Sequence, residues 1–491
     1  MRKTKIIVTL GPSAEEPEVL RMLLNAGMNV ARLNFSHGDF EEHGRRITRI
    51  KALRESSGSP LALMLDTKGP EIRTGEVEND SILLENGKTI RLTGRKVTGT
   101  SEVLTIQFEK LAETVTPGST ILLDDGLIML EVEKILPENE VQCIIKNGGK
   151  IKGKRGVNIP GFTLNLPNPT PKDVRDIQFA AEHKFDFIAV SFTESVETIE
   201  KVREILVSSG SPKTKIIAKI ENHTALKNFD QILSVADGIM VARGDLGVEL
   251  QPEDVPVAQK ELTKKCYMAG KPAITATQML HTMVEAPRPT RAEVSDVANA
   301  VYDSTSAVML SGETSIGKHP IGCVEMMARI VERAEEAIDY RKGYFSNLNW
   351  ADTSGSTTSA VTAAAITTAY QVGAKAVITV TESGETARQL SRLRPTFPII
   401  AIVSDEQIYH QLSINWGIQP VLAPKFRTLE ELHLESVKFA EISGYVKPGD
   451  TVVIVAGVPV GKTGATNMIK VEIFGKTLKD TKKDQEAYHV Q

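Results

Sequence analysis

Two neighbouring runs set the architecture: Lys215-Ile216-Ile217-Ala218-Lys219-Ile220-Glu221-Asn222 and Gly238-Ile239-Met240-Val241-Ala242-Arg243-Gly244-Asp245. Each is a short apolar run that ends in charge. A buried parallel strand has this form when its C-terminal tip carries chemistry. Lys219 and Glu221 are two apart, so on a strand they project to the same side. Asp245 closes the second run. One cation and two carboxylates at a barrel mouth suit a divalent metal beside a developing negative charge. For any one of these charges alone, a surface salt bridge is the simpler account. The constellation as a whole, repeated at other strand tips, favours chemistry.

Similar runs occur at Lys5–Leu10, Val30–Phe35, Leu61–Asp66, Phe187–Ser191, Ala273–Ala276 and Ala307–Leu310. With the first two they make eight, separated by helical segments, which predicts an α/β fold and a (β/α)8 TIM barrel. Most steps between them are roughly 25 to 35 residues, as a βα unit requires. The step from Asp66 to Phe187 is far longer. Residues 70–167 fill it with alternating strand patterns and the turn formers Asn86-Gly87 and Asp125-Gly126. This predicts an inserted, β-barrel-like lid, bordered by Gly69-Pro70 and Leu166-Pro167-Asn168-Pro169. The expected division is a barrel from 1–69 and 168–345, the lid at 70–167, a C-terminal α/β domain at 353–478 and a polar tail at 479–491. Residues 330–355 read as a long helix running into a polar Ser/Thr/Gly stretch. Strands resume at Ala376–Thr381, Ile399–Val403 and Thr451–Ala456.

The chain has 491 residues, 41% apolar and 24% charged, with a net charge of −4. That balance argues against a general nucleic-acid or membrane-surface binder. No stretch approaches transmembrane length, and Ile6–Leu10 is too short for a signal peptide. The three cysteines, Cys143, Cys266 and Cys323, show no CxxC spacing, so a reducing cytoplasm is expected.

Other strand tips add candidates. Arg32, Asn34 and Ser36 alternate with apolar residues, so all three can face the mouth. Arginine presents a fork to phosphate oxygens, while Asn34 and Ser36 offer neutral oxygens to a hard cation. Polar residues closing a strand edge account equally well for any of them alone. Asp66 and Thr67 could share that cation, and Arg73 could be a second phosphate contact. Hydroxyls after Ala276 and Leu310, on Thr277 and Ser311, could relay a proton. Ala456–Thr463 fits a relaxed phosphate-loop pattern, but alanine replaces the first glycine and Pro459 interrupts the loop. A sugar-phosphate or nucleotide-phosphate pocket is the better reading. Thr381-Glu382-Ser383-Gly384-Glu385-Thr386 supports it by leaving a strand and entering a helix.

The segments Ala31–Gly38, Leu65–Gly75, Ala218–Asn222, Met240–Gly247, Ala276–Leu280 and Met309–Thr314, in this order, resemble the pyruvate kinase family from Thr4 to about Lys476. The resemblance implies phosphoryl transfer from phosphoenolpyruvate to ADP. It implies that Glu221 and Asp245 hold Mg²⁺ or Mn²⁺, and that Lys219 stabilises the enolate. Arg32 would contact the phosphoryl group. Arg243, Gly244, Asp245 and Thr277 would cradle the substrate carboxylate. Asn34, Ser36, Asp66 and Thr67 would form a K⁺ site. Asn34, His37 and Arg73 would border the nucleotide, with Arg155 as the lid's contribution. Water ordered by Thr277 and Ser311 would bring the proton. Glu71, with Thr67, Lys68 and Thr74, resembles the potassium-dependent members.

Thr381, Ser383, Gly384, Thr386, Lys462 and Thr463 resemble the family's effector loops, which take phosphorylated sugars or nucleotides. Glu385 disfavours a bisphosphate there, so a monophosphate effector or none is expected. The family likeness also implies a homotetramer, and the chain reads as a minimal member. Two rivals remain, a metal-dependent aldolase or lyase acting on pyruvate-like enolates and a catalytically silent phosphometabolite sensor. Arg32, Arg73, Lys219 and the lid weigh against the first, and the intact Lys219, Glu221 and Asp245 against the second.

Overall fold

The computed structural model describes residues 2–162, 166–347, 356–461, 464 and 466–474. Among them, eight parallel strands close a barrel: β1 (Lys5–Thr9), β2 (Val30–Asn34), β3 (Ala62–Asp66), β4 (Phe187–Val190), β5 (Lys215–Ile220), β6 (Gly238–Ala242), β7 (Ala273–Ala276) and β8 (Ala307–Leu310). These are the eight expected runs, shortened by a residue at some ends. The strands are apolar on both faces because both faces are covered. Ile7, Val30, Met64, Ile217, Met240 and Met309 fill the barrel interior. Their neighbours Ile6, Ala31, Leu63, Ile216, Ile239 and Val308 pack outward beneath the helices.

This two-residue alternation places the chemistry. Thr9, Arg32, Asp66, Ser191 and Lys219 each follow an interior residue by two positions: Ile7, Val30, Met64, Ala189 and Ile217. They therefore form the uppermost interior layer, at the C-terminal mouth. At the opposite end Ile414, from the C-terminal region, joins the interior cluster.

Between β3 and β4 stands a seven-stranded sheet with Ile72–Arg73 at one edge and Val103–Thr105 at the other. A two-stranded ribbon, Ser81–Leu84 with Gly149–Lys152, accompanies it. The two edges of the larger sheet meet. Gln107 N donates to Arg73 O at 2.8 Å and Gly75 N to Thr105 O at 2.9 Å. The sheet is thus curled on itself around its own apolar core, which includes Leu92, Leu104, Ile121 and Leu130. At its tip Asp124, Asp125 and Gly126 all have positive φ and turn the chain between Thr120–Leu123 and Ile128–Leu136.

The C-terminal sheet runs β11-β10-β9-β12-β13, where β9 is Ala376–Val380, β10 Ile399–Val403, β11 Ile418–Leu422, β12 Thr451–Gly457 and β13 Thr466–Ile473. The last strand is antiparallel to β12. The strands β11 and β13 are additions to the three expected from the sequence. Pro420 interrupts the strand pattern of β11, which is tolerated because β11 is an edge strand.

One expectation is corrected. Instead of one long helix running from 330 into the polar stretch, a helix Pro320–Glu336 ends and a second spans Tyr340–Asn347. The polar stretch 348–355 and the tail 479–491 lie outside the described residues. Among the described residues no helix is long and apolar enough to cross a membrane.

Candidate active site

Lys219 is the hub of the mouth. Its Nζ donates to Ser191 Oγ at 2.6 Å and to Asp66 Oδ1 at 3.0 Å, and stands 2.9 Å from Glu221 Oε1. Burial opposes its charge, but Asp66, Glu221 and Asp245 together outweigh burial and raise the ammonium's pKa. Asp66 is shared. Arg32 Nε donates to its Oδ2 at 2.7 Å, while Arg32 Nη1 reaches Thr9 Oγ1 at 2.8 Å. Despite burial, Arg32 and Lys219 hold the Asp66 carboxyl below its ordinary range.

Glu221 is buried and is pushed up to about 7 by burial, against the pull of Lys219 and with the repulsion of Asp245. Its Oε2 accepts from Phe192 N at 2.6 Å. Asp245 lies in the short helix Arg243–Glu249 that begins directly after β6. Glu221 and Asp245 are hard-oxygen donors that repel each other beside the single ammonium of Lys219, which fits a divalent cation. Among the described residues no cluster of three or more His, Cys, Asp or Glu side chains could hold a metal. An ion here would complete its shell with substrate or water oxygens, as magnesium commonly does.

Arg243 does not present its guanidinium to the mouth. It is held by Asp296, by Thr277 O at 2.8 Å and by Ala276 O at 3.2 Å. Thr277 Oγ1 accepts from Gly244 N at 2.7 Å and donates to Ala276 O at 2.6 Å. Thr277 and Gln278 adopt φ of 68° and 54°, a left-handed pair costing about 1–3 kcal/mol per residue. The arginine's bonds to the carbonyls of Ala276 and Thr277 brace this turn. Ser311 Oγ is buried with no hydrogen-bond partner, an open donor and acceptor near the end of β8.

The Asn34–Gly38 segment rims the mouth. Asn34 Oδ1 accepts from Ser36 N at 3.1 Å, and Thr67 Oγ1 accepts from Ser191 N at 3.0 Å. His37 O meets the ring of buried His43 at 2.9 Å, and that ring stacks on Phe35 at 3.9 Å. Lys172 Nζ donates to Phe35 O at 2.8 Å. Arg73 pairs with Glu71 at 2.6 Å and donates to Lys154 O at 3.0 Å, while Arg155 Nε is 3.6 Å from Asp124. These last residues belong to the lid or its entry. The lid reaches the barrel: Asn158 Nδ2 donates to Glu249 Oε1 at 3.4 Å, and Asp125 is raised by burial and by Asp245.

Three side chains that hold Lys219, Arg32 and Arg243 are absent from the candidates read in the sequence, Ser191, Thr9 and Asp296, as is the Phe192 amide that holds Glu221. The strand-tip rule that selects Asp66 also covers Ser191 and Thr9. Asp296 lies in the helix Arg291–Tyr302, where no strand signal marks it.

Far from the mouth, Thr381, Ser383, Thr386, Gly461 and Thr466 line a cavity of about 60 Å³. Gly384 N donates to Thr381 Oγ1 at 3.1 Å, and Thr386 Oγ1 lies 2.7 Å from Thr466 Oγ1. Glu385 is balanced by Arg388 at 3.1 Å and Gln389 at 2.9 Å. Lys462 and Thr463 lie outside the described residues. β12 leads into antiparallel β13 rather than a helix, so the phosphate-loop pattern of Ala456–Thr463 lacks the helix N-terminus it requires.

Comparison with known proteins agrees with this arrangement. The family model described as pyruvate kinase, barrel domain, matches residues 1–324, and that of the pyruvate kinase alpha/beta domain matches residues 359–472. A pyruvate kinase of Sporosarcina psychrophila is 46% identical over 97% of this chain and 81% of its own length. One from Geobacillus stearothermophilus is 47% identical with the same coverage. The crystal structure of a pyruvate kinase from Cryptosporidium parvum superposes with a TM-score of 0.91 at 38% identity, covering 96% of each chain.

Proposed function

The chain belongs to the pyruvate kinase family and is a phosphotransferase, and on that footing we propose how its residues move the phosphoryl group of phosphoenolpyruvate to ADP. In this reading the bond between phosphorus and the enol oxygen breaks as an ADP β-phosphate oxygen attacks. The enolate left behind takes a proton at its methylene carbon and becomes pyruvate. Lys219 stands where that negative charge appears, and Arg32 where the phosphoryl oxygens lie. The lysine stays charged because three carboxylates raise its pKa, so it acts as a fixed cation and not as a base.

Gly244, Asp245 and Thr277 would seat the substrate carboxylate, with Arg243 bracing the turn from behind. Glu221 and Asp245 would hold Mg²⁺ or Mn²⁺, which when bound supplies Lewis-acid neutralisation of substrate oxygens. Asn34, Ser36, Asp66 and Thr67 offer an oxygen set suited to K⁺. Asn34, His37, Arg73 and Arg155 would border the nucleotide beneath the lid. Thr277 and Ser311 would order the proton-donating water, with the unpartnered Ser311 hydroxyl as the support for that role.

The single observation that carries this reading is the placing of Lys219 Nζ within 3.0 Å of Asp66, Ser191 and Glu221 at the barrel mouth. The test is pyruvate formation from phosphoenolpyruvate and ADP with Mg²⁺, with and without K⁺. Potassium-stimulated activity that collapses in Lys219→Met supports the reading. Absence of pyruvate both with and without K⁺ overturns it in favour of an aldolase or a sensor.

Three further assignments belong to the same reading. The cavity at Thr381–Thr386 would take a monophosphate of a sugar or nucleotide, or no effector at all. A shift of the substrate curve by fructose bisphosphate alone, with none by AMP or sugar monophosphates, contradicts it. The division into barrel (1–69, 168–345), lid (70–167) and effector-type domain (353–478) and assembly as a homotetramer follow the family pattern. Limited proteolysis and sedimentation test them.

A further inference from the structure

The lid leaves the barrel through Gly69-Pro70 and returns through Leu166-Pro167-Asn168-Pro169. Both joints press on the same two residues. Gly69, at φ +71°, has room for no side chain: a Cβ there would lie 2.8 Å from both Ser191 Cβ and the Phe192 ring. On the return joint, Asn168 Nδ2 donates to Ser191 O at 3.0 Å and to Phe192 O at 2.7 Å.

Ser191 and Phe192 also hold the reactive pair. Ser191 Oγ receives Lys219 Nζ at 2.6 Å and donates to Thr67 O at 2.7 Å. Phe192 N donates to Glu221 Oε2 at 2.6 Å. Phe192 itself sits at φ +51°, a conformation an aromatic residue holds only when its surroundings impose it. The bonds on either side of it do so. Asn168 takes its carbonyl from the lid side, and Glu221 takes its amide from the barrel side.

We propose that Asn168 is a positioning residue that ties the lid's return joint to Lys219 and Glu221 through Ser191 and Phe192. This rests on the phosphoryl-transfer reading given above. A displaced lid joint would turn the Ser191–Phe192 peptide, and that rotation would move the serine hydroxyl and the amide that aim the lysine and the glutamate. Reacting groups misplaced by about 1 Å can lose about a hundredfold in rate. A hinge bond that served stability alone would leave the chemistry of the assembled site untouched.

The test compares the wild-type protein with Asn168→Ala and the near-isosteric Asn168→Asp, which keeps the shape but removes both donors. The readouts are kcat and both KM values for phosphoenolpyruvate and ADP, thermal midpoint, and amide hydrogen exchange. The expected result is a kcat lower by about tenfold to about a hundredfold, with the phosphoenolpyruvate KM within about twofold and the midpoint nearly unchanged. Exchange at the Phe192 amide should quicken by about tenfold while β4 stays protected. Unchanged kcat and unchanged Phe192 exchange in both variants overturn the proposal. So does a uniform loss of midpoint with faster exchange throughout the barrel, which marks a purely structural bond. Should the wild-type protein form no pyruvate, the functional reading fails by itself. The exchange data then still decide the linkage, quickening at Phe192 supporting it and no change overturning it.

Discussion

Arg243 and Asp296 form a two-pronged ion pair, with Nη1 2.6 Å from Oδ1 and Nη2 2.7 Å from Oδ2. The pair joins the start of the helix Arg243–Glu249 to the helix Arg291–Tyr302. It turns an arginine at a strand tip away from the mouth and into a brace for Thr277. Asp296→Asn keeps the shape and removes the charge. Its expected effect is a KM for phosphoenolpyruvate about tenfold higher, with the ADP KM little changed, measured by initial rates. Equal effects on the two substrates would argue that the brace serves the whole barrel and not the proposed carboxylate seat.

Lys219→Met removes the hub and leaves Glu221 buried beside Asp245. The expected loss of activity is about a thousandfold, and loss of a buried partner costs about 3–5 kcal/mol of stability, which proton uptake by Glu221 reduces. Steady-state rates and urea unfolding check the two parts separately. A variant within tenfold of wild-type activity would remove the lysine from the mechanism.

Glu71 lies 2.6 Å from Arg73 and 3.8 Å from Lys68. Glu71→Lys exchanges the carboxylate for an ammonium and sets three cations together at the lid entry. The expected outcome is a reduced requirement for added K⁺, read from rates across a K⁺ titration at constant ionic strength. Equal dependence in the two proteins would separate Glu71 from the cation requirement.

Glu249 joins the helix Arg243–Glu249 to the lid and is pushed up to about 7 from an ordinary 4.5. Burial is the main cause, opposed by Asn158 and the Gly161 amide and aided by Glu194 and Asp245. The unfolded chain releases this proton near 4.5 and the folded chain only near 7. The native state therefore loses stability as pH rises across that window. Glu249→Gln abolishes the penalty. Its thermal midpoint relative to wild type should rise between pH 5 and 8 and level off above, with little difference near pH 4.5. A constant offset at every pH would sink the assignment.

Much of the barrel and its mouth is legible in the amino-acid sequence. Each barrel strand is a run of four to six residues that is largely apolar on both faces and ends in, or just before, a polar residue, a pattern imposed by burial between interior and helices. Lys219, Glu221, Asp66 and Arg32 are readable because a two-residue period puts every second residue on one side. The helix break after Glu336 and the edge strand β11 are not, since Pro420 hides the latter and local apolar spacing continues across the former.

Local periodicity fixes which side of a strand a residue faces, and with it the ring of candidates around the mouth. Partnership between residues far apart in the chain obeys no such rule. Nothing near Arg243 in sequence announces Asp296, and nothing near Asn168 announces Phe192, 24 positions away. Those pairings depend on how the helices pack outside the barrel and where the lid rejoins it. Both are settled by long-range packing, which brings a polar group next to the partner that its burial requires.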